Sequence, residues 1–225
     1  MSWSNIRNFS ATVLLVAWYG WGLSRQIPEF LASLAVSGGS GSGDLAFIIL
    51  RVVVEAAGII FTTLLVILLI VRDTPKSRVQ GVVPYAAAMV GTFASATAFF
   101  LPVARLPFWL IPLDAFLTLA GLVLSIWALS YLGKSFAILP SARRLVTSGP
   151  YRYVRHPLYV FEELAIIGIM LQFALPWSLV IVAIHVTAQL LRIRYEEKAL
   201  LQAFPEYRAY AAATPRFIPP VSRFL

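Results

Sequence analysis

Apolar residues in this chain gather into runs long enough to cross a lipid bilayer, and no soluble architecture accommodates them. Six such runs stand out, at residues 9–24, 45–71, 82–101, 109–132, 158–175 and 177–194. A helix needs about 20 apolar residues to span the hydrocarbon core. Hydrophobic residues make up 60% of the 225 and charged residues 12%, with a mean hydropathy of +0.82. A soluble domain carries about a quarter charged residues. A soluble fold, disorder and a coiled coil are therefore set aside in favour of an all-α, polytopic integral membrane protein.

The expected architecture is about six transmembrane helices plus a C-terminal amphipathic helix. The first run ends in Trp18, Tyr19 and Trp21, which suit a membrane interface. With no small-residue cleavage site after it, it reads as a span rather than a signal peptide. The run at 82–101 is rich in small residues, including Ala86, Ala87, Ala88, Gly91 and Ala94, which permit close helix packing. Only the Pro176 region separates the last two runs, which reads as a tight helical hairpin. Residues 37–43, Ser-Gly-Gly-Ser-Gly-Ser-Gly, read as a flexible loop. The expected division is a four-span membrane bundle at 1–132 and a cofactor-binding and catalytic region at 133–225.

Net charge is +8, and its placement sets the expected orientation. One set of loops holds Arg7, Arg72, Lys76, Arg78, Lys134, Arg143, Arg144, Arg152, Arg155, Arg192, Arg194, Lys198, Arg208, Arg216 and Arg223, whereas the opposite set holds Arg25 and Arg105. The positive-inside rule then puts both termini and both long polar segments in the cytoplasm. Charge distributed this way argues against a nucleic-acid partner. The chain has no cysteine and two histidines, which excludes disulfides and a cysteine nucleophile and leaves no metal site expected.

Two segments carry chemistry. In 133–157, Gly149-Pro150 marks a turn. Pro157 suits a first helical position, which holds Arg155 and His156 at a helix mouth that favours an anion. Anchoring to anionic headgroups is the plainer reading of those basic residues. In the second segment, His185, Gln189, Arg192 and Glu196 share one helix face. Polar groups at membrane depth face a bundle interior or a wet cavity. For His185 alone, an interhelical hydrogen bond is the simpler reading. Arg192, Glu196 and Glu197 point to function, because they adjoin the other polar cluster. Leu200, Phe204, Tyr207 and Ala211 then mark an amphipathic helix over 195–213, on the membrane surface or over the site, followed by an extended tail at 214–220. Arg51 and Glu55 are expected to neutralise each other, Asp114 to be hydrated, and Glu162 or Glu163 to bond a basic residue of the site.

Gly149-Pro150-Tyr151, Arg155-His156-Pro157-Leu158-Tyr159, a hairpin, Arg192-Ile193, Glu196-Glu197, Glu206-Tyr207, Tyr210 and Ile218-Pro219 follow in order. Together they resemble the isoprenylcysteine carboxyl methyltransferase family, and phospholipid N-methyltransferases share part of the pattern. The resemblance covers about residues 130–220. It implies a membrane-embedded methyltransferase that uses S-adenosylmethionine. By the same resemblance Leu145, Val146, Tyr151, His156, Pro157 and Tyr159 line the cofactor pocket and Glu196 or Glu197 closes it. Arg192 and Glu196 correspond to the family's residues near the reacting end. Phe161, followed by Glu162 and Glu163, departs from the family's small residue at that position.

The chemistry suits that expectation. Arg155 or His156 can pair the cofactor carboxylate, Glu196 or Glu197 its ammonium, and Tyr151 or Tyr159 its adenine or sulfonium. The expected acceptor is lipophilic, with an isoprenylcysteine-type carboxylate first. It enters from the bilayer, while the cofactor enters from the cytoplasm. The alternatives are a phospholipid amine N-methyltransferase, a sterol-reductase-like NADPH oxidoreductase, and a non-enzymatic membrane protein.

Overall fold

The computed structural model describes residues 3–37, 45–104 and 106–219. The loop glycines 38–43, Arg105 and Arg223 lie outside those residues. The chain divides into two compact units, Met1–Val71 and Arg72–Leu225.

The first unit is a pair of packed helices, α1 (Trp3–Ser37) and α2 (Leu45–Val71). Helix α1 runs well past the expected end at residue 24 and contains Pro28. Its polar second half finds partners on α2. Ser33 donates to Glu55 at 3.2 Å, and Thr62 lies 3.5 Å from the Gln26 side-chain oxygen. Glu55 also takes the expected pair with Arg51 at 2.8 Å. Helix α2 exposes Ile49, Val53, Ile60, Ile67 and Ile70, an apolar surface suited to lipid.

The second unit opens with a two-stranded ribbon, β1 (Ser77–Arg78) paired antiparallel with β2 (Ser141–Ala142). Between those strands lie α3 (Val82–Phe93), a 3₁₀ turn at Ala94–Phe100, and α4 (Ile111–Leu132). After β2 come α5 (Pro157–Met170), α6 (Trp177–Ala203) and α7 (Tyr207–Ala213). Helices α4 and α5 approach closely through two glycines. A Cβ at Gly121 would run into the Ala165 backbone, and one at Gly168 into Thr118. Small residues at such crossings replace the hydrophobic driving force that lipid removes.

Among the described residues, three helical stretches are long and apolar enough to cross a membrane: Leu45–Val71, Phe108–Ser135 and Trp177–Ala203. The 14 residues of α5 rise about 21 Å. Beyond them the chain turns and pairs with another loop, Ala104 N–H donating to Gln172 O and Ala174 N–H to Pro102 O. Those bonds explain why the helix stops short of residue 175. Asp114 is not hydrated as expected; it is buried, and both its oxygens accept from Gln172 Nε2 at 3.1 Å.

The surface helix expected over 195–213 is also corrected. Helix α6 continues unbroken to Ala203 and ends at Phe204, whose backbone is extended. Pro205 disfavours the helical conformation in the residue before it and has no N–H of its own. Tyr207 then starts a separate short helix, and its ring is buried with Ala142, Ala199 and Phe204.

Candidate active site

Helices α5 and α6 form an antiparallel hairpin joined by polar rungs. At the loop end, His156 Nε2 lies 3.1 Å from Glu197 Oε1. One turn along, the Tyr159 hydroxyl donates to Glu196 Oε2 at 2.7 Å. Next, Gln189 Nε2 donates to Glu162 Oε2 at 3.1 Å. Deepest, His185 Nδ1 bonds Glu163. The hairpin thus brings His185, Gln189, Glu196 and Glu197 of α6 to partners on α5 or just before it, as buried polar groups require. His185 has the interhelical partner expected of it, and Glu163 bonds a basic residue.

The loop before α5 is shaped by Gly149 and Pro157. Gly149 has φ +59°, and a Cβ there would meet the Tyr131 ring, so only glycine fits. Pro157 is the first helical residue and is fully buried, where its missing N–H costs no helical bond. The N–H groups of Arg155 and His156 donate to the carbonyls of Pro215 and Arg216 at 2.8 and 3.1 Å. The extended tail after α7 therefore straps across the mouth of α5.

The strap delivers Arg216 to Glu197. Its Nε donates to Oε1 at 3.1 Å and its Nη2 to Oε2. Arg155 Nη2 stands 3.4 Å from the same carboxylate. The bond to Glu197 draws the Arg216 guanidinium pKa upward. Phe217 packs near the His156 ring. Arg216 was not among the residues singled out from the sequence, since an extended tail carries no periodicity to reveal which side chain turns inward.

Arg192 is buried at the centre. Its Nη1 donates to Gln189 Oε1 at 2.6 Å and its Nη2 to Ile138 O at 3.1 Å, and its guanidinium lies 5.1 Å from the Tyr159 ring centroid. Helix α3 makes room for it through Gly91, where a Cβ would lie 3.2 Å from Arg192 Cδ.

Tyr151 is buried, and burial, reinforced by Glu196, raises its phenol pKa well above the ordinary value. Its hydroxyl has no hydrogen-bond partner, while its carbonyl accepts from the Tyr210 hydroxyl at 2.6 Å. Leu145 packs on the cluster around Phe204 and Tyr207, and Val146 is half-buried in the same loop. Beside the ribbon, Arg143 is buried and donates to Asp73 O and Ser141 Oγ. Burial, with Arg72 and Arg78 nearby, lowers its pKa to about 10. Among the described residues, no group of three His, Cys, Asp or Glu side chains is arranged to hold a metal ion.

The matched segment covers this hairpin and the helix before it. Residues 110–207 match the phospholipid methyltransferase family. The matched segment carries the rungs from His156–Glu197 to His185–Glu163. The chain is also similar to the cobalt-zinc-cadmium resistance protein CzcN of Cupriavidus metallidurans, 38% identical over 124 residues, which is 52% of this chain and 54% of that protein. It is 42% identical over 84 residues to the nickel-cobalt-cadmium resistance protein NccN of Alcaligenes xylosoxydans xylosoxydans, 36% of this chain and 38% of that protein. The chain thus spans about half the length of the first relative and less of the second.

Proposed function

We propose that this protein transfers a methyl group from S-adenosylmethionine to a lipophilic acceptor, at a site opening to the cytoplasmic side of the membrane. The observation that carries this reading is the set of charges around Glu197. Arg155 and Arg216 share that one carboxylate, so positive charge is in excess where an amino-acid carboxylate would dock. Arg155 Nε and the Tyr151 hydroxyl are buried with no hydrogen-bond partner. Those orphaned groups fit a polar ligand, because an unpaired buried donor is costly. Glu196 supplies an anion for the ligand's ammonium, and the rings of Tyr151 and Tyr159 supply apolar faces for its adenosine.

S-adenosylmethionine, when bound, supplies an electrophilic methyl on a sulfonium. The protein's task is alignment and charge management. Leu145, Val146 and Pro157 complete the apolar wall, and the strap at 215–216 excludes water from the mouth. Arg192 offers a guanidinium to an acceptor oxygen, which favours an isoprenylcysteine-type carboxylate. Such an acceptor has no proton to lose, so no general base is needed. A second reading is a phospholipid amine, supported by the family description and by Glu162, Glu163 and Glu196 lining the same hairpin. An amine must release a proton, for which Glu196 is the nearest candidate.

The decisive experiment is incubation of the purified full chain with labelled S-adenosylmethionine and total membrane lipid extract, followed by identification of the methylated species. A labelled carboxyl ester supports the first reading and a labelled amine the second. No label in any lipid, together with no saturable cofactor binding, removes the methyltransferase proposal.

A further inference from the structure

We infer that Glu162 and Gln189 form a positioning relay that fixes the Arg192 guanidinium from within the membrane-embedded hairpin. The inference rests on the methyltransferase reading above and gives Glu162 and Gln189 a positioning role in it.

The relay follows from hydrogen-bond polarity. Glu162 presents a carboxylate oxygen to Gln189 Nε2 at 3.1 Å. A carboxylate only accepts, so it selects the amide end of Gln189 as its donor. The opposite end of that amide, Oε1, is thereby turned to Arg192 Nη1 at 2.6 Å. Were the amide reversed, an N–H₂ would face the guanidinium and both bonds would be lost. Glu162 thus orients Arg192 through Gln189, and its charge also attracts the guanidinium directly. Other constraints on Arg192 include the Ile138 carbonyl, the Tyr159 ring and the gap at Gly91. The hairpin has separate rungs at His185–Glu163, Tyr159–Glu196 and His156–Glu197, so its register does not depend on this one.

A reciprocal exchange tests the relay. In Glu162→Gln the fixed acceptor is lost, and in Gln189→Glu two carboxylates face each other. Each single variant is expected to lower kcat by about tenfold or more, because small misplacements of a reacting group are costly. The dissociation constant for S-adenosylmethionine, read by calorimetry, stays at the wild-type value. The double variant E162Q/Q189E restores the polarity with donor and acceptor exchanged, and is expected to recover kcat to within about threefold of wild type, the non-additivity expected of directly coupled residues.

Gly91→Ala displaces Arg192 from the opposite side. Alanine is the better helix former, so its expected result is a several-fold lower kcat at an undiminished melting temperature. That variant decides the matter where the hairpin variants do not fold; wild-type kcat in it then overturns the relay. Methyl transfer by the wild type with a double variant no better than the singles, or with singles as active as wild type, also overturns the relay and leaves the methyltransferase reading standing. A wild-type chain that neither binds the cofactor nor transfers methyl removes both.

Discussion

His156 Nε2 and Glu197 Oε1 stand 3.1 Å apart although 41 positions separate the two residues in the chain. The contact joins the loop before α5 to the far end of α6, and Glu197 also holds Arg155 and Arg216. Replacing Glu197 by alanine leaves the mostly buried Arg155 and His156 without their carboxylate, while Arg216 is 47% exposed and can turn to water. The expected loss is about 3–5 kcal/mol of stability, as for other buried pairs broken on one side. Glu197→Gln keeps the shape and part of the hydrogen bonding, so it should melt between wild type and Glu197→Ala. Thermal melting in detergent, with and without S-adenosylmethionine, reads both effects.

Arg192→Ala is expected to reduce methyl transfer by about 10²–10³-fold, the scale on which a single preorganised electrostatic group acts, with cofactor affinity changed far less. Arg51→Ala gives the contrasting result. The Arg51 side chain is 61% exposed beside Glu55, and exposed pairs contribute about 0–1 kcal/mol, so melting shifts slightly and kcat not at all. Parallel kinetics and melting curves on the two variants make the comparison. Normal methylation by Arg192→Ala would remove Arg192 from the catalytic assignment.

Tyr207 predicts an alkaline instability. Burial, and then the charge of Glu197, raise its phenol above the ordinary value of 10.0. Above about pH 10 the unfolded chain releases this proton and the folded chain keeps it. The folded state then binds more protons, so stability falls as pH rises. Its hydroxyl has no partner, so Tyr207→Phe should melt like wild type at pH 7 and retain more stability above pH 10. Arg143, lowered to about 10, acts in the opposite sense over that range. The difference between Tyr207→Phe and wild type, rather than either curve alone, therefore isolates the phenol.

Gly121→Val should disrupt the crossing of α4 and α5, because its first side-chain carbon already meets the Ala165 backbone. Overpacking of this kind costs about 1–3 kcal/mol and more where backbone must move. Lower yield of folded protein and a lower melting temperature are the expected readouts. Gly58→Ala, where no atom lies within 4 Å of the new carbon, serves as the control and should melt at or above the wild-type temperature.

Residue types and spacing made the loop end of the hairpin legible. Arg155 and His156 reach Glu197, and Tyr159 reaches Glu196, so the two motifs meet in space. Helix ends were less legible, because hydropathy records contact with lipid rather than helical backbone. Helix α6 passes Arg192, Arg194 and Glu197 without a break and stops only where Pro205 forces it. Helix α1 continues through Arg25, Gln26 and Glu29, of which Gln26 lies beside Thr62 of α2 and the other two are exposed. Arg216 carried no signal of an inward side chain, and Gly91 read only as one of several small packing residues. One matters through an extended strap, the other through a side chain it lacks.

Helix α6 is one continuous rod from Trp177 to Ala203, bearing Glu197 near one end and His185 toward the other. A tilt that moves the Glu197 end must therefore swing the His185 end in the same stroke. On the methyltransferase proposal, seating of the donor at one end and of the recipient at the other would then be mechanically geared.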